Sequence, residues 1–145
     1  MKALIQRVSC ASVTVDGMLI SEIDHGLVVF LGIEKEDDSI ALDKLLHKIS
    51  HYRIFADSDD RMNLNVQQVD GSLLVVSQFT LAADTHKGLR PGFSSAAIPE
   101  LAEALYEEFI SKAQNKGLTV ATGRFAADMK VALINDGPVT FWLSS

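Results

Sequence analysis

His25, His47, His51 and His86 are the first residues to weigh for acid–base or metal chemistry, and their placement excludes more than it offers. His47 and His51 stand four apart, but Lys48 follows His47 where a zinc protease motif needs its glutamate, so the pair reads as two histidines on a helix surface. Gly92-Phe93-Ser94-Ser95-Ala96 approaches a nucleophile elbow but ends in alanine, and no histidine lies beyond residue 86 to complete a Ser, acid, His order. The acidic run Asp57-Ser58-Asp59-Asp60 fails as a calcium loop, with Met62 where glycine is required and Gln68 where glutamate is required. No glycine-rich phosphate cradle occurs. The expectation is an active site with no metal, no cofactor and no histidine base.

Two polar interruptions of apolar sequence remain. Ser77-Gln78-Phe79-Thr80 follows Leu73-Leu74-Val75-Val76, so a strand built for the core ends in two hydroxyls and an amide. From residue types alone, ordinary hydrogen bonding at a strand end is the better reading, and the same holds of a mere turn for Gly137-Pro138. Near the C-terminus, Asp136-Gly137-Pro138 splits VALIN from VTFWL. Proline has no N–H to give a ladder and glycine weakens a strand, so the pair marks a turn, an edge or a place where backbone touches something.

The elements that must hold these residues are legible in outline. Ser12 to Val15 alternates, Asp16-Gly17 supplies a tight turn, and Met18-Leu19-Ile20 returns, which predicts a hairpin over residues 2 to 23. LVVFLGI reads as a central, buried strand. Asp37 or Asp38 can cap a helix reaching residue 51 whose Leu42, Leu45, Leu46 and Ile49 share one face. Tyr52 to Phe55 looks extended, and a second Asp-Gly pair at Asp70-Gly71 suggests another hairpin joining NLNVQQV to SLLVVSQFTL. Residues 82 to 98 have no clean period and form a long loop. Pro99 opens a second helix with Leu101, Leu105 and Phe109 on one face, and Gly117 closes it. A strand near Leu118 to Phe125 and two C-terminal strands complete the set. The fold class expected is α/β: a single domain over residues 1 to 145, with a mainly antiparallel, curled or barrel-like sheet and two packed helices.

Composition narrows the partners. Thirteen Lys and Arg against nineteen Asp and Glu give a net charge of −6, which opposes binding along an extended duplex. Gripping only the end of a nucleic acid needs few cations, and Lys87, Arg90, Arg124 and Lys130 are the candidates, each equally readable as solvated charge. The longest apolar run, Leu27 to Leu31, is far short of a membrane span, and Gln6 and Arg7 interrupt any secretory leader, so the location expected is cytoplasmic. Cys10 is the single cysteine and reads as a packing residue.

Taken together, SQFTLAAD at 77 to 84 and NDGPVTF at 135 to 141 resemble the two signature motifs of the D-aminoacyl-tRNA deacylases of the Gly-cisPro type. ALIQRV, SVTVDG, YRIF, MNLNVQQ, RPGFS, EALYEEF and TGRFAADM are similar to that family in the same order, so the resemblance spans essentially the whole chain. It implies hydrolysis of the ester between a D-amino acid, or glycine, and the 3′ end of tRNA. It also implies a homodimer in which a cis Gly137-Pro138 peptide crosses into the partner's pocket, opposite Ser77 to Thr80, with Arg7 bracing the loop. Backbone carbonyls there would exclude L side chains and leave D side chains unread. The oxyanion donor expected is the Phe79 N–H, with Ser77 and Gln78 shaping the site and the terminal ribose 2′-hydroxyl aiding attack. Thr80 as a covalent nucleophile is less favoured, because no base is visible to take its proton. A noncatalytic dimer binding the adenosine end of RNA is the alternative of another class.

Overall fold

The computed structural model of the chain describes residues 1–86 and 88–145. Lys87, one of the four candidate cations, lies outside the described residues. Strand β1 (Lys2–Val15) turns at Asp16 and Gly17, both with positive φ, into β2 (Met18–Ile23), the hairpin expected from the Asp-Gly pair. Strand β3 (Gly26–Gly32) then runs antiparallel to the first half of β1, from Lys2↔Gly32 to Val8↔Gly26. β1 therefore gives one edge to β3 and then to β2.

Strands β6 (Ser72–Ser77) and β7 (Thr119–Thr122) extend the sheet on the far side of β3, each parallel to its neighbour. The order β2-β1-β3-β6-β7 curls until its ends meet, where the Ser21 hydroxyl donates to the Thr122 carbonyl at 2.7 Å. Inside the curl pack Val8, Val13, Ile23, Val28, Leu74 and Val76. Outside, Ile5, Leu27, Val29, Leu73 and Val75 meet the helices. β3 and β6 thus bury both faces, which is why each reads as an uninterrupted apolar run.

Helix α1 (Ser39–His51) is capped by Asp38, whose carboxylate accepts from Ala41 N–H at 2.8 Å. Leu42, Leu45, Leu46 and Ile49 are fully buried. Helix α2 (Pro99–Asn115) starts on Pro99 and ends before Gly117, which has φ +82°, and it buries Leu105, Tyr106, Phe109 and Ala113. No helix among the described residues is long and apolar enough to cross a membrane.

The structure departs from expectation in three places. Asp70-Gly71 does not close a hairpin: the preceding strand β5 (Met62–Leu64) pairs with β4 (Phe55–Ala56) in a small separate sheet, and β6 leaves the turn to lie parallel to β3. The main sheet is consequently mixed, with antiparallel pairs around β1 and parallel pairs beyond β3. The C-terminal segment is one strand, β8 (Met129–Ser144), which pairs with β1 along its length. Cys10 is exposed rather than packed.

Tyr106 ties α2 to the strand that ends at the site. Its hydroxyl donates to the Val75 carbonyl at 2.8 Å, a carbonyl that also accepts from Gly123 N–H at 3.0 Å. Burial pushes the phenol up to about 12, against the opposing pull of the Gly123 N–H. Because Val75 keeps its second donor, Tyr106→Phe should cost about 1 kcal/mol in urea unfolding at pH 8. A folded-state value above the unfolded 10.0 means that this stability is intact below pH 10 and is lost as pH rises toward 12. At pH 11.5 the loss is on the order of 2 kcal/mol, so the variant should then be the more stable protein. A difference that stays constant between the two pH values would refute this account.

Candidate active site

Ser77 is the last residue of β6 and pairs with Leu31 of β3. Gln78 N–H makes the final sheet bond, to the Leu31 carbonyl at 2.8 Å, and the chain then folds into a short 3-10 turn over Phe79–Ala82. Leu81 N–H closes on the Gln78 carbonyl at 3.2 Å and Ala83 N–H on Thr80 at 3.1 Å. The N–H groups of Phe79 and Thr80 precede these bonds and have no protein acceptor among the described residues, as expected for the opening of a helical turn.

Gly32 lets the turn sit there. A Cβ on Gly32 would stand 2.7 Å from Leu81 Cβ and 3.1 Å from the Gln78 oxygen, so only a residue without a side chain admits the turn against the end of β3. Sequence reading passed this residue over. Its one signal is a glycine closing an apolar strand, a common mark of close backbone approach.

Ser77, Gln78 and Phe79 open into a cleft of about 560 Å³, a size suited to a small molecule or one nucleoside. Its other walls come from Leu31 and Ile33, from Ala97, Pro99 and Ala102 at the start of α2, and from the link between β7 and β8 with Phe125 and Met129. Asp128 is the one ionisable side chain lining it, and its carboxylate is held by Lys130 at 2.9 Å. Thr80 lies just outside the lining, its hydroxyl accepting from Gln78 Nε2 at 2.5 Å. Among the described residues no side chain there is arranged to take a proton from Thr80. Apart from the Asp128 carboxylate, the polar contacts that the described lining offers a ligand are backbone groups, one hydroxyl and one amide.

Gly137 and Pro138 lie elsewhere. Along β8 the register jumps from Gln6↔Thr140 to Val8↔Asn135, so residues 136 to 139 bulge from the ladder, and the Gly137-Pro138 peptide within the bulge is cis. Asn135 staples the bulge, donating to the Arg7 and Val139 carbonyls at 3.1 and 2.9 Å and accepting from Val139 N–H at 3.1 Å. Arg7 holds its outer side: Nε donates to the Asp136 carbonyl at 2.9 Å and lies 3.2 Å from its carboxylate, while Nη1 reaches the Ile54 carbonyl at 2.6 Å. A Cβ on Gly137 would fall 2.0 Å from Val139 N, inside the bulge itself.

The bulge does not line its own chain's cleft. It faces Arg7, which pairs with Leu27 and through it with Leu73. From there Ser77 is about 13 Å along β6 and about 14 Å across the three strand spacings from β8. One chain therefore unites Ser77, Gln78 and Phe79 with Thr80 beside them, and keeps Gly137, Pro138 and Arg7 in a second cluster. Arg90 and Arg124 are exposed, and Lys130 is engaged by Asp128. His47 and His51 stack on α1 with ring centroids 4.2 Å apart, and among the described residues no group of three or more potential ligands could hold a metal.

A curled mixed sheet, two helices and a cleft at the end of a parallel strand make a small α/β domain whose candidate site offers mainly backbone groups. The family model for D-Tyr-tRNA(Tyr) deacylase matches residues 4–144. Among similar proteins, the D-aminoacyl-tRNA deacylases of Aeromonas hydrophila and Shewanella amazonensis are each 64% identical over 143 residues, covering 99% of both chains. The structure of c-Myc DNA Unwinding Element Binding Protein aligns over 100% of this chain and 99% of that one, with 40% identity and a TM-score of 0.95. A probable eukaryotic D-amino acid tRNA deacylase, 15% identical, shares the fold with a TM-score of 0.85 over 99% of this chain and 98% of that one. The chain belongs to the D-Tyr-tRNA(Tyr) deacylase family, a family of hydrolases.

Because Gly32 seats the turn that presents the Phe79 N–H, Gly32→Ala should leave a folded protein with misplaced donors. Loss of one oxyanion donor, the role expected of the Phe79 N–H, typically costs about 100- to 1,000-fold in kcat. A loss of at least tenfold in turnover, with far-UV circular dichroism unchanged, is the expected result. Full activity in the variant would show that the turn does not set the site.

Proposed function

We propose that residues 1–145 act as one cytoplasmic deacylase domain that hydrolyses the ester of D-aminoacyl-tRNA, and of glycyl-tRNA, releasing the amino acid and tRNA. The observation that carries the reading is the Phe79 N–H, without a protein acceptor among the described residues, at the mouth of a mostly apolar cleft. A tetrahedral intermediate needs a donor aimed at its oxyanion, and a backbone N–H fixed by a strand end supplies one without reorganisation. Ser77 and Gln78 shape the approach, and the terminal ribose 2′-hydroxyl aids attack. Among the described residues no base stands beside Thr80, which disfavours a covalent role.

The second half of the reading is that the site is completed by a second copy. The Gly137-Pro138 bulge is exposed, braced from behind by Arg7 and Asn135, and remote from its own cleft. In a twofold dimer it enters the partner's cleft and sets its carbonyls against the α-carbon of the bound ester. With amino group and carbonyl held, exchanging hydrogen and side chain at that carbon drives an L side chain into the bulge. Glycine passes. This is proofreading by exclusion, indifferent to what the D side chain is.

Two experiments test the two halves. The protein should hydrolyse D-tyrosyl-tRNA, D-aspartyl-tRNA and glycyl-tRNA while turning over the L-tyrosyl and L-aspartyl forms at least about a hundredfold more slowly, a discrimination of about 2.8 kcal/mol. Comparable rates for D- and L-tyrosyl-tRNA would defeat exclusion. For the shared site, subunits carrying Phe79→Pro, which deletes the donor, are mixed with subunits carrying Gly137→Ala, whose methyl collides with Val139 N. Each parent should be inactive, and verified heterodimers should regain about half the activity of the intact dimer through one complete site. Silent heterodimers would mean that each cleft works within one chain.

A further inference from the structure

Phe79 lines the cleft, yet 61% of its surface is open to solvent, and its ring centroid lies 5.0 Å from that of Phe93 at an interplanar angle of 49°. Phe93, 40% exposed, does not line the cleft, so the pair runs from the mouth outward. The segment that carries Phe93 is anchored on both sides. Asp84 and Gly92 exchange two backbone bonds at 2.8 and 3.0 Å, Ala96 N–H donates to the Phe93 carbonyl at 3.1 Å, and Ser95 donates to the Ala82 carbonyl. Two aromatic rings are therefore held in water at a fixed place beside the site. Neither contributes to the core.

The occupant follows from the proposed deacylase reading, on which this inference rests, with the terminal nucleoside that carries the ester seated in the cleft of about 560 Å³. With the ester at the Phe79 N–H, the RNA strand leaves through the mouth, and the first group past it is the base of the preceding nucleotide, a cytidine in tRNA. A nucleobase has a flat, uncharged face that stacks on aromatic side chains whatever its edge carries. We propose that Phe93, together with the outer part of the Phe79 ring, is a stacking subsite for the base of the penultimate nucleotide. The subsite would add affinity for a polynucleotide end without a basic surface, consistent with the net charge of −6.

The test compares two nonhydrolysable ligands by calorimetry: adenosine carrying D-tyrosine through a 3′-amide, and the same compound extended by one 5′-cytidylyl unit. Stacking of one base is worth about 1 to 3 kcal/mol, so the longer ligand should bind the intact protein roughly 5- to 150-fold more tightly. In Phe93→Ala that advantage should collapse toward one, and in Phe93→Tyr it should persist. Equal weakening of both ligands by Phe93→Ala would overturn the subsite and make Phe93 a support for Phe79. Dissociation of a dimer by Phe93→Ala, with the ligand ratio unchanged, would reassign the pair to contact between copies. Equal affinity of the intact protein for both ligands, or no binding of either, also overturns it. Turnover of D-tyrosyl-tRNA, assayed in parallel, separates failure of the subsite from failure of the deacylase reading, since turnover without a ligand difference removes the subsite alone.

Discussion

The two candidate clusters of this molecule are both registered to β1. A strand has two edges, and this one spends the first entirely on β8 while dividing the second between β3 and β2. Sharing one edge between two successive partners forces the sheet to bend, because β2 and β3 leave the same strand at different heights and in different directions. The bend brings β2 round to β7, where Ser21 meets Thr122, and encloses the inner core. The same pairing aligns β3 so that Leu31 faces Ser77, and it fixes the bulge opposite Arg7. A one-residue slip of β1 would turn Ile5 from the helices toward the opposite face and move the bulge off its brace. The site is thus a consequence of register before it is a set of side chains.

The cleft makes little use of side-chain chemistry, and physical reasons favour that. Asp128 lines the cleft, but its side chain stays 84% exposed and paired with Lys130. A charged group set deeper among the apolar walls would carry a desolvation cost and would bias binding by the charge of the ligand's side chain. Backbone N–H and C=O groups carry fixed dipoles, do not titrate, and stand where the strand register puts them. An enzyme asked to treat tyrosine and aspartate alike gains from such neutrality. Under the proposed reading, only atoms common to all substrates meet directional partners, and the variable part of the substrate meets none.

Sequence reading reached some of this and missed the rest for identifiable reasons. Asp16-Gly17, Asp38 and Pro99 each act through the few residues around them, so a local pattern predicts the turn and the two helix starts. Asp70-Gly71 looks the same as Asp16-Gly17 over those few residues, and Asp70 does adopt a positive φ. What differs is distant: β5 is drawn to β4, with Arg53 donating to the Asn63 carbonyl at 2.8 Å, and β6 is drawn to β3. Runs buried on both faces carry no period to distinguish parallel from antiparallel neighbours. The continuity of β8 was hidden for a related reason. Gly137-Pro138 would end most strands, but Asn135 satisfies the backbone of the bulge and lets pairing resume at Thr140. Residues 77 to 80 and 137 to 138 were legible only as motifs, since their types alone favour an ordinary strand end and an ordinary turn. The placement of Gly32 depends on Leu81, forty-nine residues away in the chain, and no local pattern could give it.

The separation of the two signature clusters is the feature on which the proposed dimer rests. A bulge costs a strand pair several ladder bonds, and here the loss is offset by side chains from Arg7 and Asn135, both committed to holding a loop that touches nothing in its own cleft. Bracing of that kind serves a partner more readily than it serves the chain that carries it. On the ladder to either side of the bulge, Cys10 and Ile134 pair on one flank and Leu4 and Trp142 on the other, and Ile134 and Trp142 are both more than half exposed. A rigid, polar-backed projection set among exposed apolar residues has the composition expected of an interface centre with its own anchor. In the proposed dimer those apolar residues would be covered by the same movement that seats the bulge, so burial of surface would supply the free energy and the braced loop would supply the geometry. Coupling the two in one face would make the filter present whenever the dimer is, leaving no assembled state in which the hydrolytic cleft stands open to L substrates.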